Sequence, residues 1–323
     1  MSNTALVTGA TGLLGRQVLA AFRRAGWLVV GQGLRRATPP TIVRADLERP
    51  GEVERLLDET KPLVVVHCAA NRSPDQCDRD PEQARRINVE ATRALARGAS
   101  ARGILFLYIS TDYVFPGRAG EAPYEADAPT DPTNRYGELK RDGEVVTLDE
   151  TRDNGLGVVL RVPVLYGSAQ RNDESAVNVL LDAVWKAQDP SAGVQMDDWA
   201  QRYPTNTEDV ARVCLHVAVK YLRERGHLQS LPKILQFTSE DRMTKYEMCE
   251  RFAAILGLPL PGMIRNKQGN DPSAPVQRPY DTHLSTSELK HLGIDVRTVD
   301  FEAWWRRELG AFKKTACSTR PVP

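Results

Sequence analysis

The 323-residue chain has no long apolar run, no excess of either charge and little cysteine. Its longest apolar stretches, at 62–70 and 156–166, are far shorter than the ~20 residues that span a bilayer, and Pro, Gly or charge breaks them. No transmembrane segment is expected. Lys+Arg 43 against Asp+Glu 42 leaves a net charge of +1. With the two signs interspersed, neither nucleic acid nor an anionic membrane is the expected partner. The five cysteines (Cys68, Cys77, Cys214, Cys249, Cys317) are odd in number and lack a CxxC pair or metal-ligand spacing. Reduced thiols and no metal site follow. The N-terminus has neither a charged n-region nor an apolar h-region, so export is not expected. The cytoplasm is the expected location, with the nucleus left open.

What is present is alternation. Short β-branched runs (5–8, 27–30, 42–43, 63–68, 104–109, 158–162) are separated by amphipathic stretches at 13–24, 51–60, 81–101 and 135–148. Strands that are apolar throughout suit a parallel sheet covered on both faces. Right-handed crossovers then predict an α/β fold, a doubly wound parallel sheet. After about 167 the rhythm changes to helical stretches at 174–187, 207–224, 244–256, 286–292 and 300–309, separated by polar, Pro-rich segments. The expected organisation is a Rossmann core over 1–166, to which later segments return, a smaller C-terminal lobe over 167–312, and a disordered tail at 313–323.

Gly9-Ala10-Thr11-Gly12-Leu13-Leu14-Gly15 follows the first strand and opens a helix. Glycines there permit a tight turn, close approach of a pyrophosphate to a helix N-terminus and close helix–strand packing, which together predict a dinucleotide site. The acid that accepts from a ribose 2′-hydroxyl at the end of a second strand is replaced by Gly31-Gln32-Gly33-Leu34-Arg35-Arg36. Two guanidiniums suit a 2′-phosphate, so NADP(H) is expected in preference to NAD(H). Asp46, followed by Leu47, comes after the third strand, where its carboxylate could hold the adenine amino group or cap a turn. Cys68-Ala69-Ala70 follow the fourth, where small side chains let a cofactor lie against backbone.

Tyr136-Gly137-Glu138-Leu139-Lys140 places Tyr136 and Lys140 on one helix face at i, i+4. A phenol titrates near pH 10, and a neighbouring ammonium would lower that value. Ser110-Thr111 close the preceding strand at the carboxyl edge, where a hydroxyl can bind a carbonyl while a nicotinamide supplies hydride.

GxxGxxG, Ser110-Thr111 and Tyr136-x-x-x-Lys140 resemble the extended short-chain dehydrogenase/reductase superfamily. Ser110-Thr111-Asp112-Tyr113-Val114-Phe115 and Arg278-Pro279 narrow this to the dTDP-4-dehydrorhamnose reductase-like (RmlD-like) group. Within that group the chain is similar to the regulatory β subunits of methionine adenosyltransferase. The segments that carry this are Arg35-Arg36-Ala37, Val66-His67-Cys68-Ala69-Ala70, Gln201-Arg202-Tyr203-Pro204-Thr205, Met243-Thr244-Lys245-Tyr246-Glu247-Met248 and Gln277-Arg278-Pro279. The resemblance implies a reductase triad at Thr111, Tyr136 and Lys140, with Ser110 adjacent. It implies cofactor contacts from Gly9, Thr11, Gly12, Leu13, Leu14, Gly15, Arg16, Arg35, Arg36, Asp46, Leu47, Cys68, Ala69, Ala70, Asn88, Pro163 and Val164. Arg72, Arg202 and Arg278 fall on the substrate pocket. Two functions follow. One is an NADP-binding regulator that partners the catalytic subunit in S-adenosylmethionine synthesis. The other is an NADPH-dependent reductase of a keto-sugar nucleotide.

Overall fold

The computed structural model describes residues 3–311, Pro272 apart; the tail expected at 313–323 lies outside the described residues. In chain order the first half runs β1 Thr4–Thr8, α1 Leu13–Arg24, β2 Leu28–Gly33, β3 Ile42–Arg44, α2 Pro50–Thr60 and β4 Val64–His67. It continues through α3 Pro74–Arg79, α4 Pro81–Arg85, a π-helical turn at Arg86–Glu90, α5 Ala91–Ala101, β5 Leu105–Thr111, α6 Arg135–Glu150 and β6 Gly157–Val162. The second half comprises β7 Leu165–Tyr166, α7 Leu180–Lys186, β8 Val194–Asp197, β9 Thr205–Asn206, α8 Thr207–Arg223, β10 Ile234–Gln236, α9 Lys245–Leu256, β11 Met263–Asn266, α10 Ser287–His291 and α11 Phe301–Glu308.

Seven strands form one parallel sheet in the order β10-β6-β5-β4-β1-β2-β3. The order in which strands are added reverses at the parallel neighbours β1 and β4, whose carboxyl ends (Thr8 opposite His67) open the crevice where such folds bind ligands. Successive side chains alternate between faces. Val7, Val66, Leu107, Val158 and Leu160 pack against the apolar stripes of α1 (Val18, Phe22) and α8 (Val213, Val217). Leu6, Val65, Phe106 and Val159 meet α2 and α5 through Leu56, Leu57, Leu95 and Ala99. Burial on both sides is why these strands read as continuous apolar runs.

Helix α8 is set by its termini: the Asn206 side chain accepts from Glu208 N at 2.8 Å, acids occupy its first turn, and Lys220 and Arg223 its last. The 81–101 stretch is interrupted by the π turn, which puts Asn88 inward. The lobe has its own core, in which Tyr166, Phe252, Phe301 and the buried Trp304 and Trp305 interlock. Two-stranded pairs β8·β11 and β7·β9 complete it. The Pro-rich 258–283 segment carries β11 and otherwise runs irregularly across the lobe. Cys68, Cys77, Cys214 and Cys249 are free thiols. Among the described residues no helix is long and apolar enough to cross a membrane.

Candidate functional site

A cleft of about 740 Å³ runs along the carboxyl edge of the sheet, from the Gly9–Gly15 loop to the lobe. At its floor Gly9 takes φ +62°, and a Cβ there would lie 2.8 Å from Ala69 Cα. A Cβ on Gly15 would lie 2.2 Å from Gly9 O. Only glycine lets the loop, α1 and the β4 end meet so closely. Gly12 caps α1 with no side-chain acceptor, so the first-turn N–H groups are available to a phosphate. Gln32 braces the loop, accepting from Gly9 N at 3.0 Å and donating to Ala45 O at 2.7 Å. Thr11, Leu13, Leu14, Cys68, Ala69, Ala70, Asp46, Leu47, Pro163 and Val164 all line the cleft. These features fit a dinucleotide. Beneath the loop, His67 lies between Thr8 Oγ1 (2.7 Å) and Thr92 Oγ1 (3.0 Å), and burial pushes it down to about 3, so it is a neutral structural link.

The expected 2′-phosphate corner differs from the sequence pattern. Arg36 lines the cleft, whereas Arg35 is exposed and outside its lining. Arg16 is also set back from the lining, donating to Thr11 O at 2.7 Å. Both Arg16 and Arg36 converge on Glu174, each at 2.6 Å. Burial opposes ionisation of Glu174, but the two guanidiniums outweigh it and hold the carboxyl down at about 2. The same segment reaches Arg72, which donates to Asp173 O at 2.9 Å. Asp46 lines the cleft while its Oδ1 accepts from Glu48 N at 3.1 Å. Asn88 does not line the cleft. Its buried amide accepts from Asn71 N (2.7 Å) and donates to Asn71 O (2.9 Å), bracing the loop after β4.

Helix α6 starts where Asn134 Oδ1 accepts from Gly137 N at 3.0 Å. A Cβ on Gly137 would lie 2.2 Å from Tyr113 O, so glycine lets the helix seat Tyr136 beside Tyr113, ring centroids 6.1 Å apart. Tyr136, Lys140 and Thr111 all line the cleft. Lys140 Nζ donates to Ile109 O at 2.6 Å and lies 4.1 Å from the centre of the Tyr108 ring. Burial lowers it to about 7, despite Glu144 nearby. Contrary to the expectation of a depressed phenol, burial raises Tyr136, with the Thr111 hydroxyl only partly offsetting it. Desolvation outweighs a lysine directed at a carbonyl. Ser110 is also committed elsewhere: it donates to Glu144 at 2.5 Å, and Glu144 forms a fully buried pair with Arg161 at 2.7 Å.

At the lobe end, Arg72, Arg202 and Arg278 line the cleft together with Lys245 and Asp112. Asp112 accepts from Thr111 (3.0 Å) and Thr282 (2.6 Å), and burial raises it to about 6. Gln32, Glu174, Lys245, Tyr113 and Asp112 are cleft residues that the motif pattern did not single out. Lys245 and Tyr113 sat within matched segments, and Gln32 within GQGLRR; Glu174 carried no local signal at all.

The match to the RmlD substrate binding domain covers residues 3–315. Methionine adenosyltransferase 2 subunit beta of Rattus norvegicus is 40% identical over 299 residues, 92% of this chain and 84% of that protein. A probable dTDP-4,6-dihydroxy-2-methyloxan-3-one 4-ketoreductase of Streptomyces antibioticus is 32% identical over 290 residues, 90% and 89% of the two chains. The dTDP-4-dehydrorhamnose reductase of Bacillus anthracis, solved in complex with NADP, superposes with a TM-score of 0.77 at 19% identity, covering 97% of this chain and 99% of its own. That last likeness is one of fold. A Gly-rich loop at the β1–β4 crevice, a Tyr–Lys helix beside β5 and relatives spanning nearly the whole chain agree: the chain belongs to the RmlD substrate binding domain family, an extended short-chain dehydrogenase/reductase fold, with methionine adenosyltransferase 2 β subunits among its relatives.

Proposed function

We propose that this chain is an NADP(H)-binding regulatory subunit that associates with a methionine adenosyltransferase catalytic subunit and modulates S-adenosylmethionine synthesis. The observation that carries the reading is the 40% identity over 92% of the chain to a subunit of that enzyme, above the 32% to the ketoreductase. The geometry supports it from the other side. Ser110 is tied to Glu144 and Lys140 to Ile109 O, so these groups brace the cleft floor. In this reading the Gly9–Gly15 loop holds the pyrophosphate, Arg36 with Arg16 receives the 2′-phosphate, and Pro163 and Val164 border the nicotinamide.

The test is to titrate the purified protein into its host's methionine adenosyltransferase, with and without NADP, following sedimentation and synthesis rate together. Saturable association with a changed rate is expected; no association at micromolar concentrations overturns the reading.

A second reading, an NADPH-dependent reductase of a keto-sugar nucleotide, is favoured by Thr111, Tyr136 and Lys140 lining one cleft. NADPH supplies hydride when bound. Thr111 would orient the carbonyl, and Tyr136 would deliver the proton, its raised phenol being an acid that stays protonated until substrate arrives. Tyr136→Phe then abolishes carbonyl-dependent NADPH oxidation, whereas in the regulatory reading the variant still activates the partner.

A further inference from the structure

We infer that residues 168–174, between β7 and α7, form a latch that NADP releases and NAD does not, so that the surface of the lobe registers which dinucleotide is bound. The inference rests on the cofactor reading above and goes beyond it, because it assigns a movement of this chain to a single phosphate.

Both ends of the segment are pinned. Ser175 is buried; its Oγ donates to Leu165 O at 2.7 Å and accepts from the N–H groups of Val177 (2.9 Å) and Asn178 (3.1 Å). Asn178 Nδ2 donates to Gly167 O at 2.9 Å, and Gly167 packs directly on Thr207, the first residue of α8. A loop whose ends are tied to each other can change shape without disturbing the elements on either side.

The body between those ends has almost no apolar hold. Ala169 is its sole apolar residue, and none of residues 168–174 is buried. Three arginines hold it against the dinucleotide half of the cleft. Arg16 donates to Ser168 O at 3.3 Å and pairs with Glu174 at 2.6 Å; Arg36 pairs with Glu174 at 2.6 Å and donates to Gln170 Oε1 at 3.1 Å; Arg72 donates to Asp173 O at 2.9 Å. On the lobe side Ser168 Oγ donates to Glu308 of α11 at 2.9 Å, and Asn172 Nδ2 donates to Asp182 of α7 at 2.6 Å. Glu174 is the hub, since it also accepts from Gln170 N at 3.2 Å and so shapes the turn it sits in. A segment held by polar contacts near solvent, without apolar burial, opens at low cost.

A 2′-phosphate carries the sign of charge that Glu174 carries and seeks the same two guanidiniums. Like charges cannot share them, so a bound 2′-phosphate expels Glu174 and, with it, the contacts of Ser168 and Gln170 to Arg16 and Arg36. NAD presents a hydroxyl at that point and leaves the hub in place. A ligand shifts a two-state segment only by its difference in affinity for the two states, and here that difference lies in one phosphate. The released loop keeps only its bonds to α7 and α11. In the regulatory reading this gives the chain one surface with NADP and another without it.

The test is amide hydrogen exchange by mass spectrometry on peptides covering residues 168–174 of the full chain, free and saturated with NADP or NAD, with saturation set by calorimetry in the same buffer. The amides of Gln170 and Glu174, bonded in the closed loop to Glu174 Oε2 and Arg171 O, are the reporters. NADP should speed their exchange about tenfold, the scale of one lost charge-assisted hydrogen bond. NAD should leave it at the rate of the free protein. Glu174→Gln should speed it with no dinucleotide present. NADP binding with unchanged or slower exchange, or equal acceleration by NAD, overturns the latch and leaves the cofactor reading standing. Absence of NADP binding in the calorimeter overturns the cofactor reading and the latch with it.

Discussion

Glu174→Gln isolates the contact that most alters the expected cofactor site. The carboxylate is clasped by Arg16 and Arg36, each at 2.6 Å, with its own side chain 11% exposed. Its folded value of about 2 lies below the ordinary 4.5. The contribution to stability is thus fully present above the unfolded value and lost only as pH falls through about 2. At neutral pH the acid is charged, and a 2′-phosphate that uses the same guanidiniums must displace it. The depression corresponds to about 3 kcal/mol. Arg36 is half-exposed and its share is screened, leaving about 1–2 kcal/mol. Glutamine keeps the shape and removes the charge. The cofactor-free protein should lose about 1–2 kcal/mol in urea unfolding, and NADP should bind about tenfold tighter, since ~1.4 kcal/mol is a factor of ten. NAD, lacking the phosphate, should bind as before. Calorimetric titration of both dinucleotides into both proteins checks this. Equal changes for NAD and NADP, or weaker NADP binding, would refute competition at this corner.

Arg36→Ala should weaken NADP far more than NAD, while Arg35→Ala, at an exposed side chain outside the cleft lining, should leave both unchanged; dissociation constants for the two variants decide it. Asp112, raised to about 6 mainly by burial, binds its proton more tightly folded than unfolded. Its ionisation therefore costs stability above pH 6, and that cost disappears as pH falls toward 4. Asp112→Asn should exceed wild type by about 2 kcal/mol at pH 8 and converge with it only below about pH 4 in urea titrations. Ser110→Ala should cost about 1 kcal/mol and leave NADP affinity intact, whereas Glu144→Gln, which strands buried Arg161, should cost about 3–5 kcal/mol. Gly15→Ala drives a Cβ into Gly9 O and should abolish NADP binding with a loss of about 2 kcal/mol or more, measured by the same titrations.

The sheet, α1, α6 and the glycine loop were legible because their signals are local. Apolar runs mark strands buried on both faces, a stripe at helical spacing marks α1, and glycines mark backbone that approaches backbone. The same holds for Tyr136 and Lys140, whose spacing on one helix places them on one side. What their protons do was not local. Burial sets both values, and burial is a property of what packs over the helix. Asn88 shows the limit of a matched position: the residue is where the family pattern puts it, yet it braces Asn71 and does not line the cleft.

The sequence by itself determined the fold class, the place of the dinucleotide loop and the Tyr–Lys helix, since each depends on residues within a few positions of one another. Only the tertiary structure decided that Glu174 clasps Arg16 and Arg36 from over 130 residues away, that Ser110 serves a buried ion pair, and that Arg202, Lys245 and Arg278 meet. Charge acts through space, and its partners and desolvation are fixed only when distant segments fold together.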